Sequence, residues 1–273
     1  MVTPLKTLMG FSVHLNVQLK FYNLPIIKDE RSKKMEILKL LKTKILGYRA
    51  YSDTYVDHLR SIGVSVGEGV EIFRPFNTTI DIQNPHLLSI GNYVQITGPV
   101  TIMTHDYSWS VLKRKYGYIY GNQEKTSIGN NAFIGWGATI LAGSTIGDNV
   151  IIGANTVISG KVSSNSVYAG NPGKKIMTLE QFKKKREGKQ LKEALNYIKE
   201  FEKKTGRIPE ENEMDEYFFL FRKKLNKKDV KFNSKINLMG NKDQSLATLE
   251  QHHAQFNSYA ELLAFYKNNR ESI

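Results

Sequence analysis

The sequence predicts an all-β core built from stacked six-residue repeats, with helical segments at both ends. Three observations lead to this prediction: an isoleucine recurs every sixth residue, a long segment interrupts the recurrence, and charged helix-forming stretches lie on either side. A period of six matches neither an α-helix, with about 3.6 residues per turn, nor an alternating strand, with a period of about two. It is typical of short strands joined by tight corners around a shared core.

The repeat is most regular between residues 128 and 162. Six isoleucines stand in register there: Ile128, Ile134, Ile140, Ile146, Ile152 and Ile158. The position four residues after each is small or β-branched: Ala132, Ala138, Ser144, Val150, Thr156 and Val162. A looser form of the frame extends upstream through Val66, Ile72, Thr78, Asn84, Ile90, Ile96 and Ile102. Its companion positions are all apolar, namely Val70, Phe76, Ile82, Leu88, Val94 and Val100. We therefore predict that both sets of positions face the core.

The repeat breaks after Ile102 and resumes at Ile128 with its phase shifted by two residues. The segment between them is too long for a corner, so it is predicted to be a loop that leaves the solenoid. Loops carried by a rigid scaffold are common places for function. This loop begins close to His105, one of two histidines in the repeat region.

The hexads IGNNAF, IGDNVI and IGANTV resemble those of the hexapeptide-repeat acyltransferases. The resemblance covers about residues 61–176, and it implies a left-handed parallel β-helix with three hexads per coil and about five coils. It also implies an acetyl-CoA-dependent O-acetyltransferase acting on a sugar hydroxyl, similar to the galactoside and maltose enzymes and to polysaccharide O-acetyltransferases. Two alternatives remain: N-acetylation of a nucleotide-linked amino sugar, and a non-catalytic β-helix trimer.

The resemblance implies that His105 is the catalytic base. Aligned without gaps backward from His105, residues 77–80 resemble the family's asparagine-x-threonine-isoleucine segment. A sugar hydroxyl must lose its proton as it attacks a thioester, and a neutral histidine, which titrates near ~6.5, can accept it. The second ring nitrogen needs a partner that fixes the tautomer. Either the adjacent Asp106 or a backbone carbonyl can fill that role.

The resemblance also implies donor and acceptor residues. Acetyl-CoA, the expected co-substrate, is assigned to Trp136, Ala154, Ser159, Lys174 and Lys175. The sugar or glycan acceptor is assigned to Gln83, which matches a position that holds the sugar in the galactoside enzymes. Tyr107 and Trp109 are also assigned to it, because aromatic rings stack on sugars, with coverage of a neighbouring subunit as an equal alternative. Relatives with a shared site are trimers, so a homotrimer with sites between subunits is expected.

Composition excludes several other classes of function. The repeat region offers only His86 and His105 and the chain has no cysteine, so no metal site is expected. The net charge of +13 comes with no base-recognition motif, so no nucleic-acid partner is expected. No stretch reaches the ~18 apolar residues of a membrane span. The uncharged residues 7–19 lack a cleavage site and therefore indicate no secretory signal, and a cytoplasmic location is expected.

The flanking segments are predicted to be helical, which divides the chain into an N-terminal helical cap (1–60), the β-helix (61–176) and a C-terminal helical extension (177–273). Residues 32–46 and 53–61, the latter capped by Ser52, are expected to plug the open end of the β-helix, with membrane-surface binding by the first helix as the alternative. Thr178 and Gln181 form a predicted capping box for a helix that ends at Gly206. Residues 217–225 and 259–266 are predicted to be helical, and residues 226–244 to be a loop.

Overall fold

The repeat region forms three parallel sheets in the computed structural model, which describes residues 30–271. Consecutive strands lie in different sheets, and each strand pairs in parallel with the equivalent strand of the next coil. The first sheet contains β1 (Ser65–Val66), β4 (Leu88–Ile90), β9 (Thr126–Ile128), β12 (Thr145–Ile146) and β15 (Lys161–Val162). The second contains β2 (Glu71–Ile72), β5 (Gln95–Ile96), β10 (Ala132–Ile134), β13 (Val150–Ile152), β16 (Ser166–Ala169) and β17 (Lys174–Thr178). The third contains β3 (Thr79–Ile80), β6 (Thr101–Ile102), β11 (Thr139–Ile140) and β14 (Val157–Ile158).

The isoleucines of the regular repeat and their companions fill the interior of this parallel β-helix. From Ile128 to Val162, all the predicted core side chains are at most 3% exposed. Isoleucines of neighbouring coils stack directly on one another, as Ile134 does on Ile152. Burial of each such side chain stabilises the fold by about 1.5–3 kcal/mol. The predicted core is therefore confirmed for the region after the loop.

The first coil departs from the predicted frame. Phe76 and Ile82, expected in the core, are 59% and 40% exposed. Strand pairing instead places Ile80 beside Ile102, and Ile90 beside Ile128. Ile80 comes eight positions after Ile72, and Ile90 comes ten positions after Ile80, because a 3-10 turn occupies each of the two corners. Relative to a spacing of six, the two corners therefore contain insertions of two and four residues. Together the insertions equal one hexad, so Ile90 is back in the six-residue frame and the sequence pattern does not reveal the insertions.

Two helices, α1 (Glu30–Leu46) and α2 (Ser52–Ser61), precede the first strand, and the boundary between two compact units falls after Ile45. In α1, apolar side chains are exposed: Ile37, Leu38, Leu40, Leu41 and Ile45. The uncharged residues 7–19 lie outside the described residues.

Helix α2 packs its Tyr55 and Leu59 against the first coil, where both side chains are fully buried. The Tyr55 hydroxyl accepts a hydrogen bond from the Ile80 amide (3.3 Å). Ser52 does not cap this helix as predicted, because its hydroxyl accepts a hydrogen bond from the Ile72 amide of β2 (2.8 Å).

The chain reverses after β16, and β17 pairs antiparallel with it. Helix α4 (Leu179–Thr205) then begins at the predicted capping box, in which the Thr178 amide donates to Gln181 (2.8 Å) and the Gln181 amide to Thr178 (3.1 Å). It ends at Gly206, whose φ of 73° is left-handed, as predicted. Helices α5 (Val230–Asn237), α6 (Lys242–Gln251) and α7 (Tyr259–Asn268) complete the segment. Together these helices enclose a second hydrophobic core that is separate from that of the β-helix.

Two predictions for this segment are wrong. Residues 217–225 contain only a 3-10 turn, Phe218–Leu220, since Phe218 and Phe221 are both buried in the second core. Residues 226–244 are not a loop, because Phe232 and Ile236 lie four residues apart and bury the same face of α5. The domain boundaries at residues 60 and 176 stay a prediction. Within residues 30–271, no helix has the length and apolar character that crossing a bilayer requires.

Candidate active site

The segment that interrupts the repeat is an ordered hairpin-like excursion. It contains strand β7 (His105–Asp106), helix α3 (Trp109–Tyr116) and strand β8 (Asn122–Gln123), which pairs antiparallel with β7. Asp106 holds this excursion together, since its carboxylate accepts hydrogen bonds from the Ser108 amide (2.9 Å) and the Asn122 side chain (2.5 Å). Hydrogen bonding by the side chain and the amide of Ser108, and then by Asn122, lowers the pKa of Asp106 below its usual range. Asp106 is therefore engaged within the loop.

The partner of His105 is Asp81, one coil earlier along the chain. The Nδ1 atom of His105 lies 2.5 Å from Oδ2 of Asp81, and the two side chains are only 18% and 10% exposed. The expectation that Asp106 or a backbone carbonyl orients the ring is thus wrong. The side chain of Asp106, although adjacent in the chain, bonds within the excursion instead, whereas stacking of the coils brings Asp81 next to the His105 ring.

Asp81 is held as a carboxylate by three donors besides His105. Its Oδ2 accepts from the Thr104 hydroxyl (2.5 Å) and amide (3.0 Å), and its Oδ1 accepts from the Gln83 amide (2.9 Å). Burial acts to raise the pKa of Asp81, but these hydrogen bonds and the one with His105 outweigh burial and lower that pKa. Asp81 is accordingly ionised throughout the range in which a histidine titrates.

An ionised Asp81 determines what His105 can do. A carboxylate can only accept, so Nδ1 must carry the proton that it shares with Asp81. In a neutral ring, Nε2 then has a free lone pair and can take a proton from a bound hydroxyl. The same carboxylate stabilises the imidazolium that forms, as a general base requires.

Sequence reasoning missed Asp81 because twenty-four positions separate it from His105. One signal was available. Asp81 directly follows the segment 77–80 that resembles the family motif, at the corner one coil before His105.

The predicted acceptor residues lie together on the same side of the solenoid as His105. Gln83 donates a hydrogen bond to the Tyr107 hydroxyl (2.9 Å). The Tyr107 ring packs edge-to-face against both the His105 ring, with the ring centres 5.1 Å apart, and the Trp109 ring, with the ring centres 5.7 Å apart. A polar and aromatic surface suited to a sugar ring thus adjoins the base.

The predicted donor residues lie at three places in the chain. Trp136 and Ala154 lie on neighbouring coils of the corner between the second and third sheets, here called the donor corner, and the Asn155 amide donates to the Trp136 carbonyl (2.7 Å). The Arg74 guanidinium lies 4.7 Å above the half-exposed Trp136 ring. Lys174 and Lys175 are exposed on β17, beside Ala169 and Tyr168, at the end of the second sheet.

Ser159 is the exception among the donor residues. It follows β14 of the third sheet, at the corner that also carries Asp81 and His105. Within one chain the third sheet therefore separates His105 and Ser159 from Trp136 and Ala154. In the described part of the chain, no three histidine, aspartate or glutamate side chains are grouped as metal ligands.

Comparison with known proteins places this architecture in a family. Residues 125–160 match the family described as bacterial transferase hexapeptide (six repeats). CapG of Staphylococcus aureus is 39% identical over 142 residues, which cover 52% of this chain and 81% of CapG. The galactoside O-acetyltransferase of Escherichia coli is 34% identical over 110 residues, 40% of this chain, and the match spans about half (53%) of that enzyme. The chain belongs to the hexapeptide-repeat family of acyltransferases.

Solved structures give weaker matches. A galactoside acetyltransferase in complex with coenzyme A is 24% identical, with a TM-score of 0.37, over 52% of this chain and 82% of that one. A maltose O-acetyltransferase from Clostridium difficile is 24% identical, with a TM-score of 0.35, over 55% of this chain and 89% of that one. The family assignment therefore depends on the sequence matches.

Proposed function

We propose that this chain transfers an acetyl group from acetyl-CoA to a sugar hydroxyl, in a capsular or other surface polysaccharide or its precursor. The observation that supports the proposal most directly is the Asp81–His105 pair beside the aromatic surface of Tyr107 and Trp109. In the proposed reaction, Nε2 of His105 removes the hydroxyl proton as the oxygen attacks the thioester carbonyl. The carbon–sulfur bond then breaks, and the proton passes from His105 to the departing thiolate. The products are an acetyl ester and coenzyme A.

We propose that the parallel β-helix is left-handed, with about five coils, and that it carries an N-terminal cap (1–60) and a C-terminal extension (177–273). We also propose a homotrimer in which each active site lies between two subunits. The separation of His105 and Trp136 onto different corners supports this arrangement, because a neighbouring chain can bring its donor corner to the His105 corner. In this arrangement Ser159 belongs to the same subunit as His105, and it contacts acetyl-CoA from the His105 side of the site.

Release of coenzyme A thiol tests the proposed activity. The purified chain is incubated with acetyl-CoA and a panel of sugars, glycans and amino sugars, and the products are treated with hydroxylamine. Hydroxylamine cleaves acetyl esters and leaves amides intact, so it distinguishes O-acetylation from N-acetylation of an amino sugar. Acceptor-dependent thiol release with a labile product supports the proposal. No release with any acceptor, from a protein that does not bind acetyl-CoA, would favour a non-catalytic trimer.

Replacement of both Lys174 and Lys175 by alanine is expected to weaken binding of acetyl-CoA more than binding of its dephospho form. A contact between an ammonium group and the 3′-phosphate contributes about 1.5–3 kcal/mol when shielded, and less when exposed. Isothermal titration with both donors measures the difference. Lys223→Ala with Lys224→Ala removes two exposed charges from the C-terminal segment and serves as the control. Equal weakening for both donors would mean that the two lysines do not bind that phosphate.

Mixed assemblies test the shared site. Chains with His105→Ala and chains with Trp136→Ala and Lys174→Ala are each expected to be inactive alone. Random assembly of equal amounts into trimers should restore about a quarter of the sites, because one interface in four combines an intact base with an intact donor corner. Thiol release by the mixture measures this recovery. If heterotrimers form and no activity returns, each chain contains its own complete site.

A further inference from the structure

Helix α3 carries three consecutive cationic residues next to the proposed acceptor surface. Lys113, Arg114 and Lys115 are all exposed. Among the side chains of residues 36–271, no carboxylate lies within ion-pair distance of any of the three, although other exposed cations, such as Arg186 and Arg207, have such partners. Unpaired cations on a loop beside an active site are available for a ligand.

The position of α3 is fixed relative to His105. The helix begins at Trp109, whose ring contacts Tyr107, which in turn contacts His105. The hydrogen bonds of Asp106 and the β7–β8 pairing secure the start and the end of the excursion. Gly117, with a φ of 82°, terminates the helix after Tyr116. The cations of α3 are therefore held near the base by an ordered segment.

The three cations do not share one face. Residues four apart lie on the same side of a helix, so Lys113 lies on the side of Trp109, and Arg114 on the adjacent side with Ser110. Lys115 lies on a different side, and its ammonium group is 4.9 Å from the centre of the Tyr116 ring. An open groove of about 730 Å³ runs along α3, and its lining consists of Trp109, Ser110, Val111, Lys113, Arg114 and Lys115. Lys113 and Arg114 thus continue the surface that Tyr107 and Trp109 begin.

We infer that the acceptor is an anionic sugar, whose carboxylate or phosphate is held by Lys113 and Arg114 while its ring lies against Trp109 and Tyr107. This inference rests on the proposed function and specifies its substrate class. Arg114 supplies a planar donor that pairs with either group in a bidentate manner, and Lys113 supplies a compact charge. Two sources share this chemistry: the carboxylate of a uronic acid, and a phosphate on the sugar or its carrier. The 3′-phosphate of acetyl-CoA is assigned elsewhere, to Lys174 and Lys175 of β17.

Matched acceptors test the inference by steady-state thiol release. Galacturonate is compared with galactose, and glucose 1-phosphate with glucose, so the two pairs distinguish carboxylate from phosphate. In the unaltered protein we expect a KM at least ~10-fold lower for the anionic member of one pair, as expected for a charged hydrogen-bonded contact. Lys113→Ala with Arg114→Ala should abolish that preference and leave the KM for acetyl-CoA unchanged. Lys223→Ala with Lys224→Ala removes two exposed positive charges from the C-terminal segment and should retain the preference.

A binding measurement makes the test independent of turnover. The chain has two tryptophans, Trp109 and Trp136, so in a Trp136→Phe background the fluorescence arises from Trp109 alone. Titration with the same four sugars should show tighter binding of an anionic sugar, which the double variant loses. Anion preference in binding without thiol release would support the inference and contradict the proposed function. Thiol release without anion preference would support the proposed function and contradict the inference. The inference is also overturned if the Lys223 and Lys224 variant loses the preference as the Lys113 and Arg114 variant does, or if the latter raises the KM for acetyl-CoA.

Discussion

Replacement of His105 by alanine is expected to lower kcat by ~10²-fold or more, because no other group of the site can take the proton of the acceptor hydroxyl. Asp81 cannot substitute for the lost imidazole. Its lowered pKa makes it a weak base, and its two oxygens already accept hydrogen bonds from Thr104 and Gln83. Thiol release at saturating acetyl-CoA and acceptor measures the loss.

The fold should survive this replacement. His105 lies at the start of an excursion, outside the isoleucine core, so the thermal unfolding midpoint should change little. His253→Ala is the matched control, since His253 is exposed in the C-terminal segment and should have near-normal kcat. Near-normal turnover of the His105 variant with a good acceptor would rule out His105 as the base.

Replacement of Asp81 by asparagine is expected to lower kcat by ~10–100-fold, the usual effect of removing the group that orients a functional histidine. The two oxygens of Asp81 accept hydrogen bonds from Gln83 on one side and from Thr104 and His105 on the other. An amide offers only one acceptor, so its NH2 group must face donors on one side. If it faces His105, the ring turns its proton to Nε2 and can no longer accept one there.

A pH profile distinguishes this orienting role from a merely structural one. Loss of the negative charge destabilises the imidazolium, so the acidic limb of the kcat profile should move to lower pH. Asp57→Asn is the control, because Asp57 is an exposed carboxylate of α2 that pairs with Arg60 (3.5 Å), and its replacement should leave the limb in place. An unchanged profile for the Asp81 variant, together with a normal kcat, would show that the pair is dispensable.

The sequence predicted the regular part of the fold because its determinants are local. Each hexad from Ile128 onward contains its own inward isoleucine and its own small corner residue, so its conformation follows from six residues. The capping box of α4 and the stop at Gly206 were predictable for the same reason. Phe76 and Ile82 were misassigned because two insertions compensate each other, and only the pairing of β3 with β6 reveals where each one lies.

The candidate site was predictable only in part. His105 was found from its position at the break in the repeat, and its aromatic neighbours follow it closely in the chain. Asp81 was missed because its contact with His105 arises from the stacking of coils, which a linear pattern does not display. Likewise, the aromatic run at residues 217–221 suggested a helix, but its side chains are used to fill the second core from an irregular segment.

The reversed strand β17 has a consequence for how this solenoid can grow. A parallel β-helix ends in strand edges whose unpaired amides and carbonyls can template another chain, in the manner of a fibril. On the second sheet, β17 occupies that edge with the opposite polarity, and its hydrogen bonds go to β16. A foreign strand that arrives in the parallel register therefore finds this edge already occupied. Parallel addition of a further strand to the second sheet is therefore blocked at this end of the solenoid.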